Sequence, residues 1–253
     1  MMIRVLTAAN PGPFTLDGTR TYLVGATIVI DPGPDLATHV EAILAAQPGL
    51  THILVTHRHP DHAPAAVALK ARTGARIFAP PGALDDDVVD HRLEEGDQIV
   101  SGAISLRTIS TPGHTREHVC FLSDDGALFT GDTVLGFGTT TIFPPDGNMG
   151  DYLRSLRRLR DLAPRVIYPG HGPIRDNAVE LISEYIAHRE LRERQIEAEL
   201  RKGATTAQEL RKMIYPDLDP ALHGAAEIQM SAHLEHMRSR GVVGREGSLW
   251  RIR

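Results

Sequence analysis

A chain of 253 residues can hold one large domain, or one of about 200 residues with a small appendage. Its 42% apolar and 23% charged residues are those of an ordinary globular protein, and a net charge of -5 excludes a generally basic protein that coats nucleic acid, though not a local basic patch. The single cysteine, Cys120, rules out an intrachain disulfide and fits a reducing compartment; with no signal peptide and no apolar run near membrane-span length, the expected location is cytoplasmic, without a membrane partner.

Tyr22-Leu23-Val24-Gly25 and Thr27-Ile28-Val29-Ile30 flank a short turn and predict a hairpin. It ends at Asp31, which is either a turn residue or a partner orienting a site residue. From Asp35, read as an N-cap, Leu36, Val40, Ile43 and Leu44 recur at helical spacing. Ile53-Leu54-Val55 is a β-branched apolar run, and four metal-competent side chains follow within six positions: His57, His59, Asp61 and His62. Sheets of α/β proteins bind ligands beyond the carboxyl ends of their strands. His62 to Arg72 predicts a helix closed by Gly74, and Arg76 to Ala79 the next strand.

Helix following strand indicates α/β layering in this half. Ile99-Val100, Ile104-Ser105-Leu106 and Val119-Cys120-Phe121-Leu122 alternate with turns, which predicts antiparallel pairing and places Cys120 in the core. Ala127 to Thr130 is another strand, ending on Gly131-Asp132; Asp151 to Leu162 is helical; Arg165 to Tyr168 is a strand that ends before Pro169-Gly170-His171. The loop Thr111-Pro112-Gly113-His114 adds a further histidine. A long helix is predicted from Asn177 to Lys202. After Gly203 come a helix capped by Thr205 or Thr206, a second helix to Arg240 and a hairpin over Val242 to Ile252, with Trp250 in its core. Helix, helix, two-stranded wing is a winged-helix outline. The boundaries are therefore 1–202 for a catalytic domain and 203–253 for a small C-terminal domain.

His57, His59, Asp61, His62, His114, Asp132 and His171 are too many ligands for one tetrahedral zinc. They suit two ions sharing a carboxylate: His57, His59 and His114 for one, Asp61, His62 and His171 for the other, Asp132 between. Two metals about 3.5–4 Å apart can lower the pKa of a water held between them and clamp the oxygen of an electrophile. The expected chemistry is hydrolysis with that water or hydroxide as nucleophile. Zinc suits the histidine-rich set, with manganese or iron as alternatives. Asp61 has a second possible role as proton acceptor and donor. His118, four residues after His114, either orients substrate or protonates the leaving group, or is a strand-end surface histidine.

The ligand pattern His57-x-His59-x-Asp61-His62 with His114, Asp132 and His171 resembles the metallo-β-lactamase fold superfamily over roughly residues 1 to 200. The resemblance implies an αββα sandwich with a dinuclear site along one sheet edge. Pro112-Gly113-His114-Thr115-Arg116-Glu117-His118, Gly131 to Gly136 with Gly138-Thr139-Thr140, and Ile167 to Pro173 are similar to β-lactamase-like endoribonucleases that carry a C-terminal winged helix. Arg20 departs from the asparagine expected there. The resemblance favours an endoribonuclease acting on single-stranded RNA; the same group includes thioesterase-like hydrolases, so a small ester, thioester or lactam is the alternative substrate. An iron-dependent oxygenase and a non-catalytic metal-holding module are the other readings of the site.

Arg154, Arg157 and Arg158 share a helical face, with Arg160 and Arg165 nearby. This is a phosphate contact or a solvated surface. Residues 203–253 carry seven Lys/Arg against six Asp/Glu, which favours a structural or pocket-capping role for the C-terminal module. His39, His52, His91, His188, His223, His233 and His236 show no metal pattern, and no carboxylate partner is expected for His233 and His236. The long helix and the C-terminal module can pack within one chain or across a homodimer.

Overall fold

The computed structural model describes residues 1–253. In chain order the first half contains β1 (Ile3–Thr7), β2 (Arg20–Val24), β3 (Ile28–Ile30), α1 (Ala37–Ala46), β4 (His52–Leu54), α2 (Ala65–Thr73), β5 (Arg76–Ala79) and β6 (His91–Arg92). β7 (Gln98–Ser101), β8 (Ile104–Ser110), β9 (Val119–Ser123), β10 (Ala127–Gly131), α3 (Met149–Asp161), β11 (Val166–Pro169) and α4 (Ala178–Leu200) follow. The C-terminal module is α5 (Ala207–Ile214), a 3-10 turn at Pro220–Leu222, α6 (His223–Ser239), β12 (Val243–Glu246) and β13 (Leu249–Ile252).

Two sheets form the centre. One has the order β1-β2-β3-β4-β5-β6 and the other β11-β10-β9-β8-β7. β3, β4, β5 and β6 are parallel, as strand-helix alternation predicts, while β7 to β10 pair antiparallel and β11 joins β10 in parallel. The side-chain period of two sorts the core into layers. Tyr22, Val24, Ile28, Ile30, Leu54 and Phe78 meet Leu106, Val119, Phe121 and Phe129 between the sheets. Leu23, Val29, Ile53 and Ile77 point the other way, onto Val40, Ile43 and Leu69 of α1 and α2. Ile109, Cys120 and Leu128 back onto α3 and α4 through Tyr152, Leu156 and Ile182. This is an αββα sandwich. Burial pushes the Cys120 thiol up to about 12. No helix is long and apolar enough to cross a membrane.

The end of α4 supplies Ile196 and Leu200 to a separate core with Leu210, Met230, Leu234, Met237, Val243 and Trp250. β12 and β13 form the wing, with Val243 opposite Ile252, and Thr206 caps α5 by accepting the Glu209 N–H at 3.2 Å.

Some local expectations change. Asp35 does not cap α1: the N-cap is Leu36, without a side-chain bond, because the chain first turns at Pro34, whose carbonyl accepts the Leu36 N–H at 2.7 Å. α2 starts at Ala65 rather than His62. His233 and His236 do face a carboxylate, Glu193 of α4, whose Oε1 lies 3.7 Å from a nitrogen of each. The arginine face is already paired: Arg154 with Asp151, Arg157 with Glu190, Arg158 with Glu95 and Arg160 with Asp161.

Candidate metal centre

β4 ends at Leu54, and the chain then folds tightly enough that the His62 and Ala63 N–H groups both reach the His59 carbonyl, at 3.0 and 3.2 Å. That turn gathers His57, His59, Asp61 and His62. His114 enters from the β8–β9 loop, Asp132 follows β10 and His171 follows β11. The first sheet thus delivers four candidate ligands and the second sheet three.

The ligand atoms fall into two groups, His57, His59, His114 and Asp132 in one and Asp61, His62 and His171 in the other. In the first, His59 Nδ1 lies 2.9 Å from His57 Nε2 and 3.0 Å from His114 Nε2. In the second, His62 Nε2 and His171 Nε2 are 3.2 Å apart, and Asp61 Oδ2 is 3.4 and 3.1 Å from them. Asp132 faces both: Oδ1 is 3.3 Å from His62 and His171, Oδ2 is 3.5 Å from His114. Donor atoms around one tetrahedral zinc stand about 3.3–3.4 Å apart, from bonds of about 2.0–2.1 Å.

The hydrogen bonds behind the rings test whether a cation fits. His57 Nδ1–H donates to Thr56 Oγ1 (2.9 Å), His62 Nδ1–H to Asp31 Oδ2 (2.9 Å), and His114 Nδ1–H to the Thr141 carbonyl (3.0 Å). With the proton fixed on the outer nitrogen, the inner one presents a lone pair. Several lone pairs and two carboxylates then converge on one small space, and Asp132 Oδ1 is buried without a hydrogen-bond partner. Only a cation or added protons can hold them together. Gly170 keeps the space open, since a Cβ there would lie 2.6 Å from His62 Cε1 and 2.7 Å from Asp132 Oδ1. The donor set fits divalent metal.

The electrostatics divide the site into two halves. Burial, reinforced by neighbouring histidines, pushes His57 well down and His59 to about 4, so both are neutral ligands at pH 7. Burial also opposes charge on His62 and His171, but the carboxylates of Asp132 and Asp61, joined at His62 by Asp31, prevail, raising His62 strongly and His171 to about 9. Protons and metal ions compete for this half of the site.

Asp31 is the orienting partner, not a simple turn residue. It sits in the left-handed region at φ +48°, and its carboxylate accepts from His62, from the Thr56 N–H (2.8 Å) and from Thr56 Oγ1 (2.8 Å). Asp31→Asn is expected to weaken metal retention by about 10–100-fold, read by competition with a chromogenic chelator. Unchanged retention would remove Asp31 from the site.

His118 lies elsewhere than either reading of it. It is fully buried, stacked under His57 with ring centroids 4.9 Å apart. Its Nε2 accepts the Asp132 N–H (3.2 Å) and its Nδ1–H faces Thr111 and Thr133. With both nitrogens engaged away from the cavity, it positions Asp132 and cannot deliver a proton to a leaving group. Arg20, at the position where the resemblance implies asparagine, turns its guanidinium to Asp17 at 2.7 Å, and its N–H holds the Gly170 carbonyl at 2.8 Å. Thr19, which no local pattern singles out, donates to Asp61 Oδ2 at 3.1 Å.

Above the ligands opens a cavity of about 490 Å³. His59, Asp61, His114, Asp132 and His171 form its floor; Phe14, Leu16, Phe137, Phe143 and Leu222 are among its walls, with Thr139 to Thr141. No lysine or arginine lines it.

Comparison with known proteins agrees with this geometry. Residues 15–171 match the family model of the Metallo-beta-lactamase superfamily, and residues 206–250 match the Beta-lactamase associated winged helix domain. The chain is 34% identical over 249 residues to the Beta-lactamase-like protein 2 homolog of Caenorhabditis elegans, covering 92% of this chain and 83% of that protein. It is 35% identical over 219 residues to the Lactamase-like protein aptB of Emericella nidulans, covering 82% and 68%. Among solved structures, a metallo-beta-lactamase family protein from Thermus thermophilus superposes with a TM-score of 0.80 at 26% identity, covering 99% of this chain and 98% of the other. A beta-lactamase domain protein from Burkholderia ambifaria gives 0.84 at 25%, covering 99% and 91%. With its ligand-bearing strand ends, its αββα layers and its C-terminal wing all accounted for, the chain belongs to the metallo-β-lactamase superfamily.

Proposed function

We propose that the chain is a metal-dependent hydrolase of a small substrate in which an acyl bond adjoins a flat or apolar group. His57, His59 and His114 would hold one divalent ion and Asp61, His62 and His171 the other, with Asp132 reaching both. Such ions supply Lewis acidity and a more acidic water. Asp61 keeps 22% of its side chain exposed and is fixed by Thr19. In this reading Asp61 takes a proton from an attacking water and returns it to the leaving group.

The observation that carries the acyl reading is the wall of the cavity: three phenylalanines, three leucines and no lysine or arginine. A polyanionic strand needs Lys or Arg along its path, and the basic face of α3 is engaged by carboxylates. The second reading, single-stranded RNA, rests on the rings of Phe14 and Phe137, which are 59% and 72% exposed at the mouth and could stack on bases. Metal-quantified protein assayed on fluorescent single-stranded RNA beside aryl esters, an acyl thioester and a β-lactam separates the two. The expected result is turnover of an acyl substrate, lost with chelator and in His59→Ala, and intact RNA. Metal-dependent RNA cleavage that disappears in His59→Ala would reverse the assignment.

A further inference from the structure

Three consecutive residues of the β10–α3 connection, Thr140, Thr141 and Ile142, are tied on both sides. Toward the ligands, Thr140 Oγ1 donates to the Asp132 carbonyl at 2.7 Å and the Thr141 carbonyl accepts from His114 Nδ1–H at 3.0 Å. Toward the C-terminal half, the Thr140 carbonyl accepts from the Arg189 guanidinium of α4, and the Ile142 N–H donates to Gln229 Oε1 of α6 at 3.1 Å. Arg189 is 1% exposed and has no carboxylate; its guanidinium lies 5.6 Å from the Tyr152 ring, whose hydroxyl donates to the Thr133 carbonyl at 2.7 Å. Gln229 is also buried, at 8%. Leu222, at the end of the 3-10 turn before α6, lines the same cavity.

We propose that the C-terminal module is part of the substrate site. Gln229 and Arg189 are positioning residues that hold the cavity wall and, through Thr141, the ring of His114. Leu222 sets which acyl group fits beneath the wall. Two buried polar side chains from helices distant in sequence, spent on the backbone of one loop, are costly to desolvate unless their bonds are made. An arrangement that only packed the module against the sandwich could use apolar contacts. The role of Leu222 and the choice of substrates below rest on the acyl-hydrolase reading; the clamp of Gln229 and Arg189 does not.

The test compares Gln229→Leu, which keeps volume and removes the acceptor, with Gln229→Glu, which keeps an acceptor oxygen, and with Leu222→Ala at a half-exposed position. Readouts are KM and kcat on acetyl and longer aryl esters, hydrogen exchange at the Ile142 amide, metal retained after dialysis, and Tm. Gln229→Leu is expected to speed Ile142 exchange by about tenfold or more and to raise KM, with Gln229→Glu restoring both. Leu222→Ala is expected to raise KM for the longer ester by about tenfold relative to the acetyl ester. A fall in Tm with unchanged Ile142 exchange and unchanged ester preference would overturn the proposal and leave the module a buttress. If the wild type turns over no ester, the substrate reading fails by itself. The clamp is then decided by exchange and metal retention: both unchanged in Gln229→Leu overturns it, faster exchange with weaker retention supports it.

Discussion

Asp132→Ala is expected to lower turnover by at least about a thousandfold, the rate equivalent of the several kcal/mol that metal assistance contributes, and to reduce bound metal below two ions per chain. Asp132 is the one carboxylate whose two oxygens face different groups, His62 and His171 on one side and His114 on the other. Its backbone is held as firmly as its side chain, by His118 at the N–H and by Thr140 at the carbonyl. Asp132→Asn would keep the shape and lose the charge that balances two cations, so it should fail nearly as completely. Elemental analysis beside kinetics checks this, and an alanine variant with full metal and full rate would remove Asp132 from the centre.

The second large effect lies in the backbone. Gly113→Ala is expected to destabilise the fold by about 3–5 kcal/mol, from strain and overpacking together, lowering Tm by about 10 °C for a chain of this length. Gly113 adopts φ +141°, and a Cβ there would lie 2.3 Å from Tyr152 Cα and 2.5 Å from its nitrogen. The conflict is with the first turn of α3, which cannot move without moving the Gly113 carbonyl, the acceptor for Asn148 N–H at 2.8 Å. His114 is the next residue, so metal retention should fall with Tm. Thermal unfolding checks it, and a wild-type Tm would mean that the loop and helix separate easily.

Six of the seven candidate ligands were legible in the sequence because they follow the ends of apolar strands, where a local pattern coincides with a long-range consequence; His114, in the β8–β9 loop, was marked by the glycine before it. The layers were legible for a similar reason: strand-helix alternation marks the parallel sheet and strand-turn repetition the antiparallel one. What stayed hidden depends on residues distant in the chain. The arginines of α3 look free until Glu95 and Glu190 arrive from other elements. His118 resembles a strand-end histidine, and only the β10 turn that lays Asp132 over its Nε2 reveals its place. Gln229 bonds a loop 87 residues away, and no spacing rule connects them. The start of α1 failed for a local reason, since an aspartate before an apolar helix resembles a cap whether or not Pro34 turns the chain first.

The division of the candidate ligands between the two sheets would tie a bound metal to the fold. His57, His59, Asp61 and His62 belong to the first sheet, and His114, Asp132 and His171 to the second, so neither carries a full coordination set. Ion binding is then thermodynamically linked to cohesion of the sandwich. An ion at a free concentration a hundredfold above its dissociation constant adds about 2.7 kcal/mol to the folded state. Thermal unfolding with and without added divalent ion reads that link directly.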